Sequence, residues 1–258
     1  MIANYHMHTF RCGHATGTER EYIERSIEGG LKIIGFSDHM PFRFPDGYES
    51  GYRVPTALAQ DYIRTLTALR EEYKDKIEIH IGFECEYYPL YFSDMLNYAR
   101  ELGAEYLILG QHFVGSEHPD GLYCGGKHIT PDRLGEYVDC VISAMESGVF
   151  SYVAHPDVFH FVNGCEADYE KEMRRLCRAA ARMDYPLELN FLGIRGKRHY
   201  PDERFWRIAG EEGCKAVFGI DSHEAVNAWD PDSLAAAKEI TARYGLKVVD
   251  TVNLRPIK

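Results

Sequence analysis

The chain has 258 residues, is 45% hydrophobic, and carries a net charge of -11 from 40 acidic and 29 basic residues. That suffices for one large core, and the acidic balance, with no block of Lys or Arg, argues against nucleic acid as a partner and for a small molecule. No stretch approaches the ~18 apolar residues of a membrane span, no basic-then-apolar leader is present, and seven cysteines without a Cys-x-x-Cys pair suit reduced thiols in a cytoplasm.

Residues 2–8 read as a short strand ending in His6-Met7-His8. Residues two apart on a strand share a side, so the two imidazoles aim at one point, as a metal ion requires. A loop holding Arg11, Cys12 and His14 follows, and Thr18 with Glu21 predicts a capping box for a helix that ends at Gly29-Gly30. Strand 32–37 ends in Asp38-His39, and a long loop, 40–55, carries Phe42, Phe44, Tyr48 and Tyr52, which either pack it onto the core or wall a pocket. A helix is expected over 56–74, then strand 77–83 ending at Glu84, a helix over 90–102, and strand 106–109 followed by Gly110-Gln111-His112. Loop 113–129 precedes a helix over 130–147, strand 151–154 ending at His155, and a helix over 167–183. Strand 186–190 opens into the basic segment Arg195-Gly196-Lys197-Arg198, and a short helix is expected over 201–212. Strand 215–220 ends in Asp221-Ser222-His223, a last helix spans 232–244, and 247–249 is a candidate terminal strand.

Seven strand–helix units imply an α/β fold with a parallel sheet, and in a closed parallel barrel all C-terminal strand ends share one face. Nine metal-type residues gather at such ends: His6, His8, His14, His39, Glu84, His112, His155, Asp221 and His223. They are too many for one tetrahedral ion and suit two or three divalent ions bridged by carboxylates. His-rich sites accept Zn, Fe or Mn, and residue type does not choose among them.

These motifs, His-x-His, Ser-Asp-His, Gly-Phe-Glu, Gly-Gln-His, Ala-His-Pro-Asp and Asp-Ser-His, resemble in order and spacing those of the PHP (polymerase and histidinol phosphatase) superfamily, from His6 to His223. The length resembles the stand-alone histidinol-phosphate phosphatase type, with residues 1–258 as a single domain. The resemblance implies a distorted (β/α)7 barrel and a trinuclear centre. It implies one ion held by His6, His8, Glu84 and Asp221, a second by Glu84, His112 and His155, and a third by His14, His39 and His223. It also implies hydrolysis of L-histidinol phosphate by a metal-bridging hydroxide, in histidine biosynthesis. The alternative is another small phosphate ester, such as a nucleotide or sugar phosphate. Glu84 and Asp221 are then catalytic as well as ligating.

Outside the ligands, Arg195 is expected to clamp phosphate through its planar fork, with Arg11 as a second candidate. Asp157 and His160, just after His155, are expected to meet the substrate or protonate the leaving group, although Asp157 equally suits a turn. Asp38 is a candidate partner orienting an imidazole. Cys12 reads as a bystander, His80 as remote from the metals, and His118, His128 and His199 as solvated loop residues. The oligomeric state is not legible in the sequence.

Overall fold

Apolar runs too short for helices alternate with amphipathic stretches of helical period, and the chain folds as alternating strands and helices. The computed structural model describes residues 1–127, 130–162 and 164–257. Its elements are β1 (Ala3–Asn4), α1 (Glu19–Glu28), β2 (Ile33–His39), α2 (Ala59–Tyr73), β3 (Glu78–Cys85), α3 (Phe92–Leu102), β4 (Tyr106–Leu109), β5 (Phe113–Val114), β6 (Leu122–Tyr123), α4 (Pro131–Glu146), β7 (Phe150–Val153), α5 (Glu166–Arg182), β8 (Leu187–Asn190), α6 (Phe191–Arg195), α7 (Glu203–Glu211), β9 (Lys215–Gly219), α8 (Pro231–Arg243) and β10 (Lys247–Val248). The capping box starts α1: Thr18 accepts from the Glu21 backbone, and Glu21 reaches back to the Thr18 backbone. Asp230 caps α8, with Pro231 in its first turn. No helix among the described residues is long and apolar enough to cross a membrane.

Eight parallel strands form one curled sheet in the order β1-β2-β3-β4-β7-β8-β9-β10. Beyond β1 the chain bridges to the end of β9: Met7 pairs with Ser222, His8 N donates to Ser222 O at 3.0 Å, and Asp221 N donates to His6 O at 2.9 Å. At the opposite end of β9, β10 pairs with Lys215 and Ala216 instead. The barrel is thus distorted, its C-terminal rim joined where the segments after β1 and β9 bridge at Met7 and Ser222, and its lower end occupied by an eighth strand. Alternation along β4 sends Leu107 and Leu109 into the large core under the helices and Tyr106 and Ile108 into a smaller cluster with Tyr5, Tyr152 and Val217. The Tyr106 hydroxyl donates to Tyr5 O at 2.9 Å, tying the sheet from within.

Three features differ from expectation. Only Ala3 and Asn4 of the first run form the regular ladder with β2; farther on, Met7 lies between β2 and the segment after β9, accepting from Ser37 N at 2.9 Å and bridging to Ser222. Loop 113–129 contains an antiparallel hairpin, β5 on β6, too short to show a period. Where an open basic segment was expected after β8, α6 begins at once, its first turn capped by Asn190 accepting from Gly193 N at 3.0 Å.

At Gly82 a Cβ would collide with the backbone oxygen and ring of Tyr106. Neither can withdraw without opening the β3–β4 ladder, so Gly82→Ala should lower stability by about 1–3 kcal/mol. Chemical denaturation measures this, and a variant as stable as the parent would contradict the packing described.

Candidate metal centre

Six strands of the curl, β1, β2, β3, β4, β7 and β9, deliver metal-type side chains at or just past their C-terminal ends to the same rim. His39 and Glu84 are register partners at the ends of β2 and β3. His112 follows β4, His155 follows β7, and Asp221 follows β9, each by two or three residues. His155 and Asp221 both have positive φ, 29° and 48°, a backbone region uncommon for residues with a Cβ and tolerated by His and Asp. The seven imidazoles form one connected group, with ring centroids 4.0 Å apart for His8–His223, 4.4 Å for His8–His39, 4.8 Å for His14–His223 and 4.9 Å for His112–His155. The structure therefore brings all nine predicted residues together.

Glu84 is the hub. Its Oε1 faces His155 Nε2 at 2.8 Å and His112 Nε2 at 3.5 Å. Its Oε2 faces His39 Nδ1 at 3.0 Å, His6 Nε2 at 3.5 Å and His8 Nε2 at 3.6 Å. Asp221 Oδ1 lies 3.2 Å from His8 Nε2, 3.3 Å from His223 Nδ1 and 3.7 Å from His6 Nε2. Room for these carboxylates comes from glycines: a Cβ on Gly110 would strike the Glu84 carboxylate.

Three imidazoles are aimed from behind by carboxylates. His6 Nδ1 meets Glu188 Oε2 at 2.9 Å, His8 Nδ1 meets Asp38 Oδ1 at 3.4 Å, and His112 Nδ1 meets Glu86 Oε1 at 2.8 Å. The outer nitrogens are thereby occupied and the Nε2 atoms turned inward, the usual arrangement around a metal. Seven buried atoms of the group have no hydrogen-bond partner: Nε2 of His6 and His8, Nδ1 of His39, His155 and His223, Glu84 Oε2 and Asp221 Oδ1. Unpaired buried polar atoms are rare in folded proteins and call for a ligand. Sets such as His6–His8–Asp221, His6–Glu84–His155 and His8–His39–His223 have donor atoms within 4.8 Å of one another, so the clusters can hold metal ions.

The charges are strongly coupled. Burial pushes Glu84 and Asp221 up, but the surrounding imidazoles outweigh it and hold both well below the usual carboxylate range. Burial pulls His6 and His8 down, yet Glu188, Asp221 and Glu84 raise His6 well above 6.5, and Asp221 with Asp38 raises His8 to about 9. Burial and the neighbouring His8 lower His39 well below its ordinary value and His223 to about 4. Without metal, the group at neutral pH therefore mixes cationic and neutral imidazoles.

A cavity of about 450 Å³ opens over the cluster, walled by Tyr52, Phe113, Tyr123, Val158, Leu192, Arg198 and Tyr200. Of the loop aromatics, Phe42 and Phe44 pack in the core and Tyr52 walls the cavity. The non-ligand expectations fare differently. Arg195 does not face the cluster: α6 turns its guanidinium onto Ile220 O at 2.7 Å and Asp221 O at 2.5 Å, so it braces the segment carrying Asp221. Arg11 is buried in ion pairs with Glu19 and Asp61. Asp157 is buried beside its own partners, accepting from Asp202 N at 2.7 Å and Trp206 Nε1 at 3.0 Å; burial raises it to about 7, but it does not line the cavity. His160 stacks on His199 at 4.0 Å, outside the lining. Arg198 takes the place expected of Arg195, at the cavity wall with Nη1 donating to the Tyr200 hydroxyl at 2.9 Å. Asp38 orients His8 rather than its neighbour His39. Cys12 lies with His14 and His223 in one cluster but donates to Thr9 O, His80 pairs with Glu78, and His118 pairs with Asp46. His128 lies outside the described residues.

Glu188 and Glu86 were missed. The available signal was an acidic residue inside an apolar run: Leu187-Glu188-Leu189 in β8, and Glu86 two positions after Glu84.

The PHP domain family model matches residues 4–191. A probable histidinol-phosphatase of Deinococcus radiodurans is 28% identical over 228 residues, 86% of each chain. A probable histidinol-phosphatase of Schizosaccharomyces pombe is 31% identical over 253 residues, covering 86% of this chain and 81% of the relative. Among solved structures, the histidinol phosphate phosphatase of Lactococcus lactis, complexed with zinc, L-histidinol and phosphate, superposes with a TM-score of 0.73 at 21% identity, covering 99% of this chain and 97% of that one.

Metal uptake must displace protons from the imidazoles whose values are raised. At pH 7.5 His8, raised to about 9, is protonated in metal-free protein, so adding Zn²⁺ should release at least about one proton. Calorimetry in buffers of different ionisation enthalpy measures the release, of which the His8 part should fall away as pH rises through about 9; uptake without release at pH 7.5 would contradict the charge pattern.

Proposed function

The chain belongs to the PHP domain family, and from that premise we infer that it is a metal-dependent phosphomonoesterase that hydrolyses L-histidinol phosphate to L-histidinol and phosphate, the phosphatase step of histidine biosynthesis. The observation that carries the reading is the convergence of seven imidazoles and two carboxylates under one cavity, with buried polar atoms among them left without hydrogen-bond partners. The split of partners between the two Glu84 oxygens supports Glu84 as a bridge, with His6, His8 and His39 at Oε2 and His112 and His155 at Oε1, and Asp221 beside His6 and His8. His14, His39 and His223 complete the proposed ligand set, for two to three ions in all. Zinc is the ion named for the Lactococcus relative; Fe and Mn suit the same donors. Bound ions supply positive charge for the phosphoryl oxygens and lower the pKa of a water to about 7.

The chain's own residues do the rest. Arg198 is placed to bind non-bridging phosphate oxygens with its fork, and its hydrogen bond to Tyr200 holds it at the wall. Tyr52, Phe113, Val158 and Leu192 offer an apolar surface to the organic part of a small ester. A cavity of about 450 Å³ suits such a substrate, and the net charge of -11 supports a small phosphate ester over nucleic acid. A single domain over residues 1–258 and a cytoplasmic location complete the proposal, the latter supported by seven free cysteines.

The test is phosphate release from a panel of phosphomonoesters, nucleotides and sugar phosphates included, with metal content measured on the same sample. L-histidinol phosphate should be the preferred substrate; equal turnover of the whole panel would sink the assignment. Glu84→Gln keeps the shape but loses the bridging charge, and should lose metal and slow turnover by at least ~100-fold. Arg198→Ala should lower kcat/KM roughly 30- to 1,000-fold with metal content unchanged. If it moves less than about threefold, Arg198 is a surface residue and the phosphate is held by metals alone.

A further inference from the structure

Arg53 is a guanidinium sealed from water at 3% exposure, and it lines no part of the cavity. It nonetheless joins three segments that meet at the site. Nη2 donates to Glu86 Oε2 at 2.5 Å and to Glu117 Oε2 at 2.6 Å, Nε donates to Glu117 Oε2 at 2.8 Å, and Nη1 donates to Met40 O at 3.1 Å. Two chains of contacts then leave Arg53. One runs through the second oxygen of Glu86 to His112 Nδ1 at 2.8 Å, and so to His112 Nε2, which faces Glu84 Oε1 at 3.5 Å. The other runs to Tyr52, the ring that walls the cavity against Phe113 at a centroid distance of 5.8 Å: its hydroxyl donates to Glu117, accepts from Arg53 Nη2 at 2.7 Å and lies 3.2 Å from Glu86 Oε1.

We propose that Arg53 is a positioning residue with two arms, fixing the aim of His112 through Glu86 and the cavity wall through Glu117 and Tyr52. The proposal rests on the metal reading of the cluster. Stability alone does not call for this arrangement, since a buried ion pair is often matched by apolar residues of the same volume. The geometry is directional: Glu86 gives Oε2 to Arg53 and Oε1 chiefly to His112 at 2.8 Å, with the Tyr52 hydroxyl farther off at 3.2 Å, which keeps the proton of His112 on Nδ1 and the lone pair on Nε2. A planar fork can hold both carboxylates at once, which a lysine ammonium on a flexible stem does not do equally well.

The two arms make the test specific. Glu86→Gln, Arg53→Lys and Glu117→Gln are compared with the wild type after zinc loading. Metal retention is followed against a chelator, and the imidazole N–H of His112 by proton NMR, assigned through its loss in His112→Gln. Glu86→Gln and Arg53→Lys should surrender one ion about 10-fold or more readily, with the N–H resonance shifted or lost. Glu117→Gln should keep its metal and its N–H signal while raising KM for L-histidinol phosphate roughly fivefold or more. A purely structural role predicts lower melting temperatures in all three with metal retention and the N–H signal unchanged, and that result overturns the proposal. Should Glu86→Gln not fold, Arg53→Lys, which keeps the buried charge, decides by the same readouts. A wild type that takes up no divalent ion overturns the metal reading and this proposal together, whereas a loaded wild type with unchanged variants overturns this proposal alone.

Discussion

Buried negative charge is the constraint on which the rest of the structure depends. Glu84, Asp221, Glu86, Glu188 and Asp38 are all sealed from water at the same rim. Among the described residues, Arg53 is the single guanidinium within ion-pair reach of any of them, and it meets only Glu86. Ionised carboxylates in a low-dielectric interior are costly unless compensated. In metal-free protein the compensation falls to protons on His6 and His8, whose values are raised for that reason. Divalent ions, which these clusters can hold, would supply the same compensation and give partners to buried atoms that protons alone leave without one.

The fold serves that concentration of charge. Closing the rim through Met7–Ser222 sets His6 and His8 beside Asp221, two segments more than 200 residues apart in sequence. Arg195 braces the same segment from below by holding Ile220 O and Asp221 O, and Asn190 reaches Asp221 Oδ2 at 3.0 Å. Tyr5, Tyr106 and Tyr152 fill the interior beneath, where a wetter core would screen the carboxylates and weaken their hold on cations. Glycine is required where a strand passes behind a carboxylate: at Gly219, as at Gly110, a Cβ would occupy the space taken by an acid, here Glu188.

Much of this was legible in the sequence, for a physical reason. A parallel barrel presents every strand's C-terminal end on one face, so a His, Glu or Asp closing successive apolar runs implies convergence before any coordinate is known. The residues lining the cavity were harder to read, because they depend on local turns. Arg195 and Arg198 are three positions apart in one basic segment, and only α6, hidden by Gly193 and Gly196, turns the first onto the backbone and leaves the second at the cavity. Asp157 resembled an acid poised beside His155, yet its carboxylate is committed to Trp206 and the Asp202 backbone. Glu188 and Glu86 were visible as acids in apolar surroundings, but their pairing with His6 and His112 joins residues 182 and 26 apart, which spacing alone does not reveal.

The central claim is that metal ions are gathered by the inward nitrogens around Glu84 and Asp221. Anomalous diffraction at the zinc edge from crystals of zinc-loaded protein tests it most directly. The account predicts two or three anomalous peaks inside the cluster, one between Glu84 and the His6, His8 and Asp221 set and another between Glu84 and the His112 and His155 pair. Fully loaded crystals with no peak within bonding distance of Glu84, or with zinc only at surface histidines such as His118, would contradict it.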